Sequence, residues 1–332
     1  DIWKSANIIP LPKRKGATEP KDFRSIVLTP IIAKCIEKLV APHISKHITD
    51  TNQFAYKRNS STDDALLVLL DRVTHHLDWS AKNYVCSIFI DFSNAFNTIN
   101  TNILVQKMSS HSVNPNIIAW SYNFISSRTQ RVRVGNTLSD SITTSTGCPQ
   151  GCILSPILFS LYVEDMTVSD THTIIKYADD TAILEFISQK SPSSLQDEIS
   201  SITTWSTQNG LIINTKKTKE VVFCNQRDDP DPPSVMINDT AIERVEEYKY
   251  LGTAINCKLN FSTNTRNIME KANKRLFIIK QLAYMNARTS TITLAYTTFL
   301  ESVLQYHLRI IYGHLTSDMK RQYNHIINTA RK

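Results

Sequence analysis

The stretch Tyr177-Ala178-Asp179-Asp180 decides how this chain is interpreted. It lies between two short apolar stretches, 173–175 and 181–184, and this pattern predicts two strands joined by a tight turn. The turn then carries two adjacent carboxylates, and like charges this close repel and raise each other's pKa values. A divalent cation relieves such repulsion. The hairpin tip is therefore a candidate metal site.

A third acid follows a second apolar strand. Residues 84–92 predict a buried strand that ends at Asp91. If this strand neighbours the hairpin in one antiparallel sheet, the acids at positions 91, 179 and 180 converge. Such a set could hold two Mg²⁺ ions about 3.5–4 Å apart, and Mg²⁺ prefers carboxylate and phosphate oxygens. Taken alone, Asp91 is better explained as a strand-end or helix-capping residue, but the hairpin tip weakens that explanation.

The composition is that of a folded protein with a basic surface. The 332 residues, 41% hydrophobic, can form two or three subdomains. A net charge of +7 favours a polyanionic partner such as nucleic acid, although a basic protein without that partner is an alternative. No stretch approaches the roughly 18 apolar residues of a membrane span and there is no signal-peptide pattern, so we expect an intracellular protein with no membrane partner.

The six cysteines form no pattern typical of a metal site. Cys148 and Cys152 bracket a Pro-Gln-Gly turn and lack two further ligands at zinc-site spacing. We expect all six to be reduced thiols, most of them packing residues.

Three local patterns predict secondary structure near these motifs. Ser155-Pro156 predicts a helix with Ser155 as its N-cap and proline at its first position. Residues 211–214 predict a strand. Residues 248–252 predict a further short strand, after which we expect helices only.

The C-terminal region predicts a basic helical surface. Residues 264–288 carry six basic residues against one acid, Glu270. Apolar residues recur at helical spacing, so one face packs and the other can follow phosphates. A basic face that contacts only water is the alternative.

Taken together, the motifs resemble those of a known family. Residues 90–96, 147–156 and 177–180 are similar to motifs A, B and C of reverse transcriptases. Four further pieces follow in that family's order: 8–13 with 23–26, 53–56 with 61–65, Asn214 with 217–219, and 250–252. The chain as a whole resembles the polymerase domain of non-LTR (LINE-type) retrotransposons.

The resemblance implies a fold of the α/β (α+β) class, a right-hand polymerase. Fingers and palm would be built on an antiparallel sheet plus helices, followed by a C-terminal helical thumb. Residues 1–80 would form the N-terminal part of the fingers. Residues 81–257 would form the palm, with a fingers insertion at about 111–145, and residues 258–332 a truncated thumb.

The resemblance also assigns the acidic centre. Asp91 and Asp179 would be the principal ligands of two Mg²⁺ ions, with Mn²⁺ as a possible substitute. Asp180 would complete the triad and Phe92 would offer its backbone carbonyl. Lys217 would protonate the leaving pyrophosphate, with Lys216 and Lys219 as near-equal competitors and a solvated basic turn as the alternative.

The same resemblance places a nucleotide pocket beside the acids. Phe96 would lie under the sugar and clash with a 2′-OH, so the substrate would be dNTP; a packing role in the core is the alternative. Gln150 would line the pocket with a donor and an acceptor, and Gly151 would let the backbone come close.

Cations of the fingers would neutralise the triphosphate. The candidates are Arg24, Lys57 and Arg58. The chain departs from the family at Ser25, where proline is usual, and at Ser60, where arginine is usual. The loss of arginine at position 60 leaves the choice among the three cations open and also fits a decayed copy of the element.

Nucleic acid would be held by two further groups. Tyr250, Leu251 and Gly252 would form the primer grip. Lys271, Lys274 and Arg275 would bind the duplex.

The implied function is that of an RNA-directed DNA polymerase, a nucleotidyltransferase. Its partners would be an RNA template, a DNA primer or target DNA, dNTPs and other domains of one polyprotein, from which this chain would be an excised piece. It would act in the nucleus during target-primed synthesis and travel through the cytoplasm as a ribonucleoprotein. The alternatives are an RNA-dependent RNA polymerase and a decayed or domesticated domain that binds nucleic acid without chemistry.

Overall fold

The computed structural model describes residues 4–188, 191–226 and 230–331. Within these ranges the strands are β1 Ser5–Pro12, β2 Phe23–Leu28, β3 Tyr84–Ile90, β4 Arg128–Val134, β5 Thr137–Leu138, β6 Ile142–Thr144, β7 His172–Tyr177, β8 Asp180–Ile187, β9 Lys219–Cys224, β10 Met236–Ile237, β11 Thr240–Ala241, β12 Glu243–Arg244, β13 Glu247–Tyr250 and β14 Thr253–Asn256.

The helices of the same ranges are α1 Ile31–Ser45, α2 Thr62–Trp79, α3 Ala95–Thr98, α4 Thr101–Ser110, α5 Pro115–Ile125, α6 Leu154–Tyr162, α7 Leu195–Gln208, α8 Ser262–Tyr284, α9 Thr289–Ala295, α10 Ser302–Gln305, α11 Leu308–Ile311 and α12 Ser317–Arg331. A π-helical turn, Tyr296–Glu301, joins α9 to α10. None of the described helices has both the length and the apolar composition that crossing a bilayer requires.

The central sheet has the strand order β12-β9-β3-β8-β7. Strand β3 pairs antiparallel with β8 on one side and with β9 on the other. Strands β7 and β8 form the predicted hairpin, with Tyr177 opposite Asp180. Because Ile90 lies opposite Thr181, the end of β3 and the hairpin turn meet at one edge of the sheet. This confirms the expectation that the strand before Asp91 and the hairpin are neighbours in one antiparallel sheet.

Helices cover both faces of this sheet, which explains the largely apolar sequence of β3, interrupted by the buried Ser87. Ile88 and Ile90 pack on one face with residues of α1, α4, α6 and α7. Val85 and Phe89 pack on the other with α2 and the C-terminal helices. A strand buried on both faces needs apolar residues at every position rather than at alternate ones.

A second sheet has the order β2-β1-β4-β5, and β6 also pairs with β4. Strand β1 is antiparallel to β2 and parallel to β4. This sheet bonds to the loop before α6, because the Val27 N–H donates to the Gln150 carbonyl at 2.7 Å. The fold is α+β with mainly antiparallel sheets, as the resemblance implied.

The predicted N-cap of α6 was wrong. The helix begins at Leu154, and the Ser155 hydroxyl donates to the Pro149 carbonyl at 2.7 Å instead of capping. The buried carboxylate of Glu37, on α1, accepts from the N–H groups of Ile153 and Leu154 at 2.7 and 3.1 Å. A carboxylate suits a helix N-terminus because the first N–H groups there lack partners within the helix.

The strand prediction for residues 211–214 was also wrong. In place of a ladder, Ile213 makes a single bridge to Phe92. The Leu211 N–H donates back to the Ser206 carbonyl at 2.8 Å, so the segment begins as the C-terminal turn of α7.

Residues 248–252 do not form one strand followed only by helices. Strand β13 turns at Leu251-Gly252 and pairs with β14 as a hairpin. Leu251 and Gly252 have φ angles of 45° and 90°, the positive values that a tight two-residue hairpin turn requires. Leucine seldom adopts this conformation, so residue 251 carries no turn signal that could have predicted the hairpin.

No disulfide is recorded among the six cysteines, all of which lie in the described ranges, in agreement with the expected reduced thiols. Cys35 is exposed on α1, Cys257 is partly buried and the other four are buried. Burial raises the pKa of Cys148 to about 12 and that of Cys152 to about 11.

Candidate active site

The three predicted acids share one electrostatic environment at the edge of the central sheet. Burial and the charge of Asp91 raise the pKa of Asp179. Although Asp180 is partly open to solvent, burial of its carboxyl group, with the charges of Asp179 and Asp91, raises its pKa to about 6. The three acids therefore lie close enough that ionisation of one carboxyl group disfavours ionisation of the others.

The hairpin tip is held by a segment from the N-terminal part of the chain. Ala178 has a φ angle of 56°, in the left-handed region, and its N–H donates to the Oε1 of buried Gln53 at 3.0 Å. The same oxygen accepts from the Ala55 N–H at 3.0 Å. The Phe54 N–H donates to the Lys176 carbonyl at 2.9 Å, next to the turn. Residues 52–55 thereby extend the sheet beyond β7 and fix the tip.

Lys217 lies against the first acid. Its Nζ is 3.2 Å from Asp91 Oδ2 and 3.4 Å from Oδ1. The charge of Lys217 lowers the pKa values of Asp179 and Asp180 and so partly offsets the increase caused by burial and by the neighbouring carboxylates. Lys219 instead pairs with Glu243 at 2.6 Å and donates to the Lys216 carbonyl. Of the three candidate lysines, the structure brings Lys217 to the acids.

The backbone around Asp91 is fixed by the turn that carries Lys217. The Asn214 N–H donates to the Asp91 carbonyl at 2.8 Å, and the Asp91 N–H donates to the Thr218 hydroxyl at 3.3 Å. Thr218 is fully buried. Asp91 and Lys217 are therefore held by one rigid piece of structure.

The donor set suits a hard divalent cation. In the parts of the chain that the structure describes, no three His, Cys, Asp or Glu side chains form a ready-made metal cage. Mg²⁺ commonly binds through one or two carboxylates, with waters and substrate phosphates as its other ligands. Asp91, Asp179 and Asp180 would hold such an ion. In the bridge between Phe92 and Ile213, the backbone hydrogen bonds are made by the residues on either side of the pair. The Phe92 carbonyl therefore accepts no hydrogen bond within this bridge.

The predicted nucleotide-pocket residues meet at one loop. Phe96 is partly buried and its ring stacks on Phe159, with centroids 4.7 Å apart. The Phe96 carbonyl accepts from the Cys148 N–H at 2.7 Å. Gly151 has a φ angle of 105°, and a Cβ there would lie 3.1 Å from the Val27 carbonyl oxygen. Both the backbone angle and the tight space favour glycine at this position.

The three fingers cations differ in their surroundings. The charge of exposed Arg24 lowers the pKa of Asp179, so Arg24 lies within electrostatic range of that acid. Lys57 donates to the Asp50 carbonyl at 3.2 Å, and Arg58 is exposed. Arg24 is the best placed of the three to meet a triphosphate bound at the acids.

The predicted primer grip forms the β13–β14 hairpin. Tyr250 is 2% exposed and packs on Phe89 with ring centroids 5.2 Å apart, so its side chain anchors the hairpin. Burial and the charge of Asp180 raise its pKa. Leu251 and Gly252 form the turn, and the Tyr306 hydroxyl donates to the Leu251 carbonyl at 2.7 Å.

A cleft of about 730 Å³ lies between this hairpin and the C-terminal helices. Its lining includes Gly252 and the three predicted duplex-binding residues, Lys271, Lys274 and Arg275. Arg275 also donates to the Phe299 carbonyl in the π-helical turn. The structure therefore brings the predicted duplex-binding residues next to the primer-grip turn.

The family profile described as "Reverse transcriptase (RNA-dependent DNA polymerase)" matches residues 11–255. The chain belongs to the reverse transcriptase family.

Relatives within this family come from mobile elements. The chain is 27% identical to the "RNA-directed DNA polymerase from mobile element jockey" of Drosophila melanogaster, over 94% of this chain and 35% of that protein. It is 24% identical to the "Probable RNA-directed DNA polymerase from transposon BS" of the same species, over 88% and 33%. These matches confirm the resemblance to non-LTR retrotransposon reverse transcriptases. The chain spans about a third of the length of these curated relatives.

The fold is also similar to that of telomerase. The structure of telomerase from Candida tropicalis in complex with a fragment of telomeric RNA aligns over 98% of this chain and 57% of that one, with a TM-score of 0.55 and 12% identity. At this identity the comparison shows the right-hand polymerase fold alone.

The sequence alone did not indicate a role for two residues that position the β7–β8 hairpin of this reverse transcriptase. One is Gln53, which binds the tip. The other is Lys176, which is 1% exposed inside β7. Its Nζ lies 2.6 Å from Asp50 Oδ2 and donates to the carbonyls of Val163 and Met166 at 3.0 and 2.9 Å. The sequence signal that could have identified Lys176 was a lysine inside an apolar strand, because a buried cation requires a partner.

A further residue at the acids was also missed. Partial burial and the charge of Asp179 raise the pKa of Tyr56. Tyr56 follows the segment that binds the hairpin tip and has a φ angle of 58°. Its proximity to Asp179 arises from tertiary packing, which the tetrapeptide 53–56 alone does not reveal.

Proposed function

We propose that this domain catalyses RNA-directed DNA synthesis for a non-LTR retrotransposon. It adds dNTPs to the 3′-hydroxyl of a primer, copying an RNA template and also a DNA template. The observation that carries the proposal is the convergence of Asp91, Asp179 and Asp180 at one sheet edge, with Lys217 beside them. Family membership and the relatives from mobile elements support it.

The chemistry follows from the arrangement of these groups. The primer 3′-oxygen attacks the α-phosphate in line, forming a new P–O bond as the bond to pyrophosphate breaks. Asp91, Asp179 and Asp180 would hold two Mg²⁺ ions, which would supply Lewis-acid activation of the hydroxyl and positive charge for the phosphates. Lys217 donates a proton to the leaving pyrophosphate, and Arg24 offsets the charge of the triphosphate.

Selection of dNTP over NTP rests on Phe96. Its ring stacks on that of Phe159, so a 2′-OH in contact with it would meet a supported surface. An RNA-dependent RNA polymerase, the rival enzyme, needs room for that hydroxyl. Incorporation of dNTP in preference to NTP distinguishes the two.

The partners follow from the reaction. They are the RNA template, a DNA primer or target DNA, and dNTPs. Because the curated relatives are about three times longer, other domains of one polyprotein are further partners. Target-primed synthesis would take place in the nucleus, after transport through the cytoplasm as a ribonucleoprotein.

Primer extension on an RNA template with Mg²⁺ tests the proposal. Asp179→Asn removes one ligand charge and keeps the side-chain size. Loss of several kcal/mol of transition-state stabilisation corresponds to at least ~10²-fold slower extension. Asp71→Asn, at an exposed position on α2, is the matched control and should extend like wild type.

A domain that binds nucleic acid without chemistry predicts a different result. Wild type and Asp179→Asn would then bind a primer–template equally and neither would extend it. Equal extension by both proteins would remove Asp179 from the catalytic centre.

A further inference from the structure

Arg128, the first residue of β4, is a buried cation with an unusual set of partners. It is 9% exposed. Its Nε donates to the Ile125 carbonyl at 2.7 Å, and its Nη2 donates to the carbonyls of Thr146 and Gly147 at 2.9 and 2.8 Å. Among the described residues, no carboxylate pairs with it. Burying a charge without a counter-charge is unfavourable, so the buried guanidinium requires an explanation. Because it binds three backbone carbonyls, it is suited to fixing the position of the backbone segments that carry them.

The loop that Arg128 holds lies directly against α3, which carries Phe96. The Gly147 N–H donates to the Ile99 carbonyl at 2.9 Å, and the Cys148 N–H donates to the Phe96 carbonyl at 2.7 Å. A Cβ on Gly147 would lie 2.6 Å from the backbone oxygen of Asn97. The two backbones are therefore in contact, with no side chain between them to absorb a shift.

We infer that Arg128 is a positioning residue for dNTP selection, acting through the 146–148 loop on Phe96. The guanidinium fixes the two loop carbonyls, the loop fixes the backbone of α3, and α3 sets the height of the Phe96 ring. Phe159 stacks on the ring but does not restrain the Phe96 backbone. Without the Arg128 bonds, α3 can move away from the sugar and admit a 2′-OH. This inference rests on the proposed polymerase function.

A direct contact with nucleic acid is the competing role for this arginine. Arg128 also lines a polar cleft of about 220 Å³, together with Ser25, Gln130 and Thr146. A template phosphate bound there would make Arg128 a contact for the template strand. The two roles differ in what they change: positioning alters the choice of sugar, whereas a phosphate contact alters the affinity for primer–template.

The test compares kcat/KM for a dNTP with that for the matching NTP. Arg128→Lys keeps the charge and loses the planar fork that reaches three carbonyls. We expect selectivity for dNTP to fall roughly tenfold, within the range that small changes of fit produce, with the Kd for primer–template unchanged. Arg131→Lys, an exposed residue on the same strand, is the control and should keep the wild-type ratio.

A double-mutant cycle with Phe96→Ala shows whether Arg128 acts through the ring. If it does, Arg128→Lys changes selectivity less than about twofold once the ring is absent, because coupled residues are not additive. An equal loss in both backgrounds overturns the inference, as does wild-type selectivity in Arg128→Lys. Unchanged selectivity with weaker primer–template binding would assign Arg128 to the template strand instead.

Gly147→Ala provides an independent variant if Arg128→Lys fails to fold, as judged by thermal melting. The added methyl group pushes against the Asn97 backbone and should lower selectivity in the same direction. A folded Gly147→Ala protein with wild-type selectivity contradicts the inference. A wild-type protein that incorporates neither substrate refutes the proposed function, and this inference with it.

Discussion

At the residue scale, Lys217 ties the acids to the proposed proton transfer. It is two-thirds exposed and yet lies 3.2 Å from Asp91, so it can reach both the acids and a phosphate above them. Its charge keeps Asp179 and Asp180 more ionised than burial alone would allow. In the proposed reaction, this one lysine would support metal binding beforehand and donate a proton to the leaving pyrophosphate.

Replacing Lys217 by methionine should slow the single-turnover rate of dNTP addition by about 10²-fold or more, the usual contribution of a general acid. Lys219→Met is the control, because Lys219 forms its ion pair with Glu243, whereas Lys217 forms its own with Asp91. We expect its rate to stay within a few-fold of wild type. Rapid-quench measurements on a preformed primer–template complex report both rates. Similar rates for the two variants would contradict the role of Lys217.

The acids themselves were predictable at this scale because each lies in a short local pattern. Asp179 and Asp180 lie between two apolar stretches, and Asp91 ends a strand whose residues are all apolar or small. Gln53, Lys176 and Arg128 act through contacts with residues 10 to 125 positions away in sequence. No local pattern records such contacts.

At the element scale, the β13–β14 hairpin depends on the helical region that follows it. Leu251 has a positive φ angle of 45°, a conformation that costs about 1–2 kcal/mol for a residue with a side chain. Its carbonyl accepts from the Tyr306 hydroxyl, and a Cβ at Gly252 would lie 3.2 Å from the Tyr306 ring. Tyr306 therefore holds a strained turn in place.

Tyr306→Phe should loosen this turn without removing the ring. A hydrogen bond contributes a net ~0.5–1.5 kcal/mol, so we expect the Kd for the primer terminus to rise by about 2- to 10-fold. The KM for dNTP should stay the same, because the acids and the nucleotide loop are not touched. Tyr312→Phe is the control, since Tyr312 is exposed and its ring contact with Lys320 survives the change. Equal primer affinities for the two variants would show that the hydroxyl does not support the turn.

Most helices and the paired strands of the palm were predictable because their patterns are local. Two of the failures share one cause, an override by tertiary contacts. Helix α6 is capped by Glu37, which lies 116 residues before Ile153. The strained turn at Leu251 is supported by Tyr306, 55 residues later.

At the scale of the whole molecule, His307 joins three regions. It lies between α10 and α11 and is 1% exposed. Its Nδ1 is 2.6 Å from the Thr253 hydroxyl on β14, and its Nε2 is 3.3 Å from Asp63 Oδ1 on α2. Burial lowers the pKa of His307 more than Asp63 raises it. The C-terminal helices are thus attached to the sheet through a histidine that is more readily neutral when folded.

This attachment should weaken in mild acid. Because the folded pKa of His307 is lower than the unfolded value of about 6.5, the unfolded chain binds the proton more readily, and stability is lost as the pH falls below that value. Above it, the contribution is fully present. The free energy of unfolding of wild type minus that of His307→Gln should therefore decline between pH 7.5 and 5, by no more than about 1.4 kcal/mol per pH unit.

Urea unfolding at several pH values measures this difference. His325→Gln, at an exposed position on α12, serves as the reference for general effects of losing a histidine. Its difference from wild type should not vary with pH. If the free energy of unfolding of wild type minus that of His307→Gln is equally independent of pH, the proposed link between His307 protonation and stability is contradicted.

The unequal burial of the six thiols makes the molecule easy to label at one place. A cysteine thiolate is the nucleophile that attacks a maleimide, and burial keeps Cys148 and Cys152, beside the nucleotide loop, protonated at neutral pH. Cys35 is exposed on α1, the helix whose Glu37 caps α6. A fluorophore at Cys35 would report on α1 during nucleotide binding while the loop itself stays chemically unmodified.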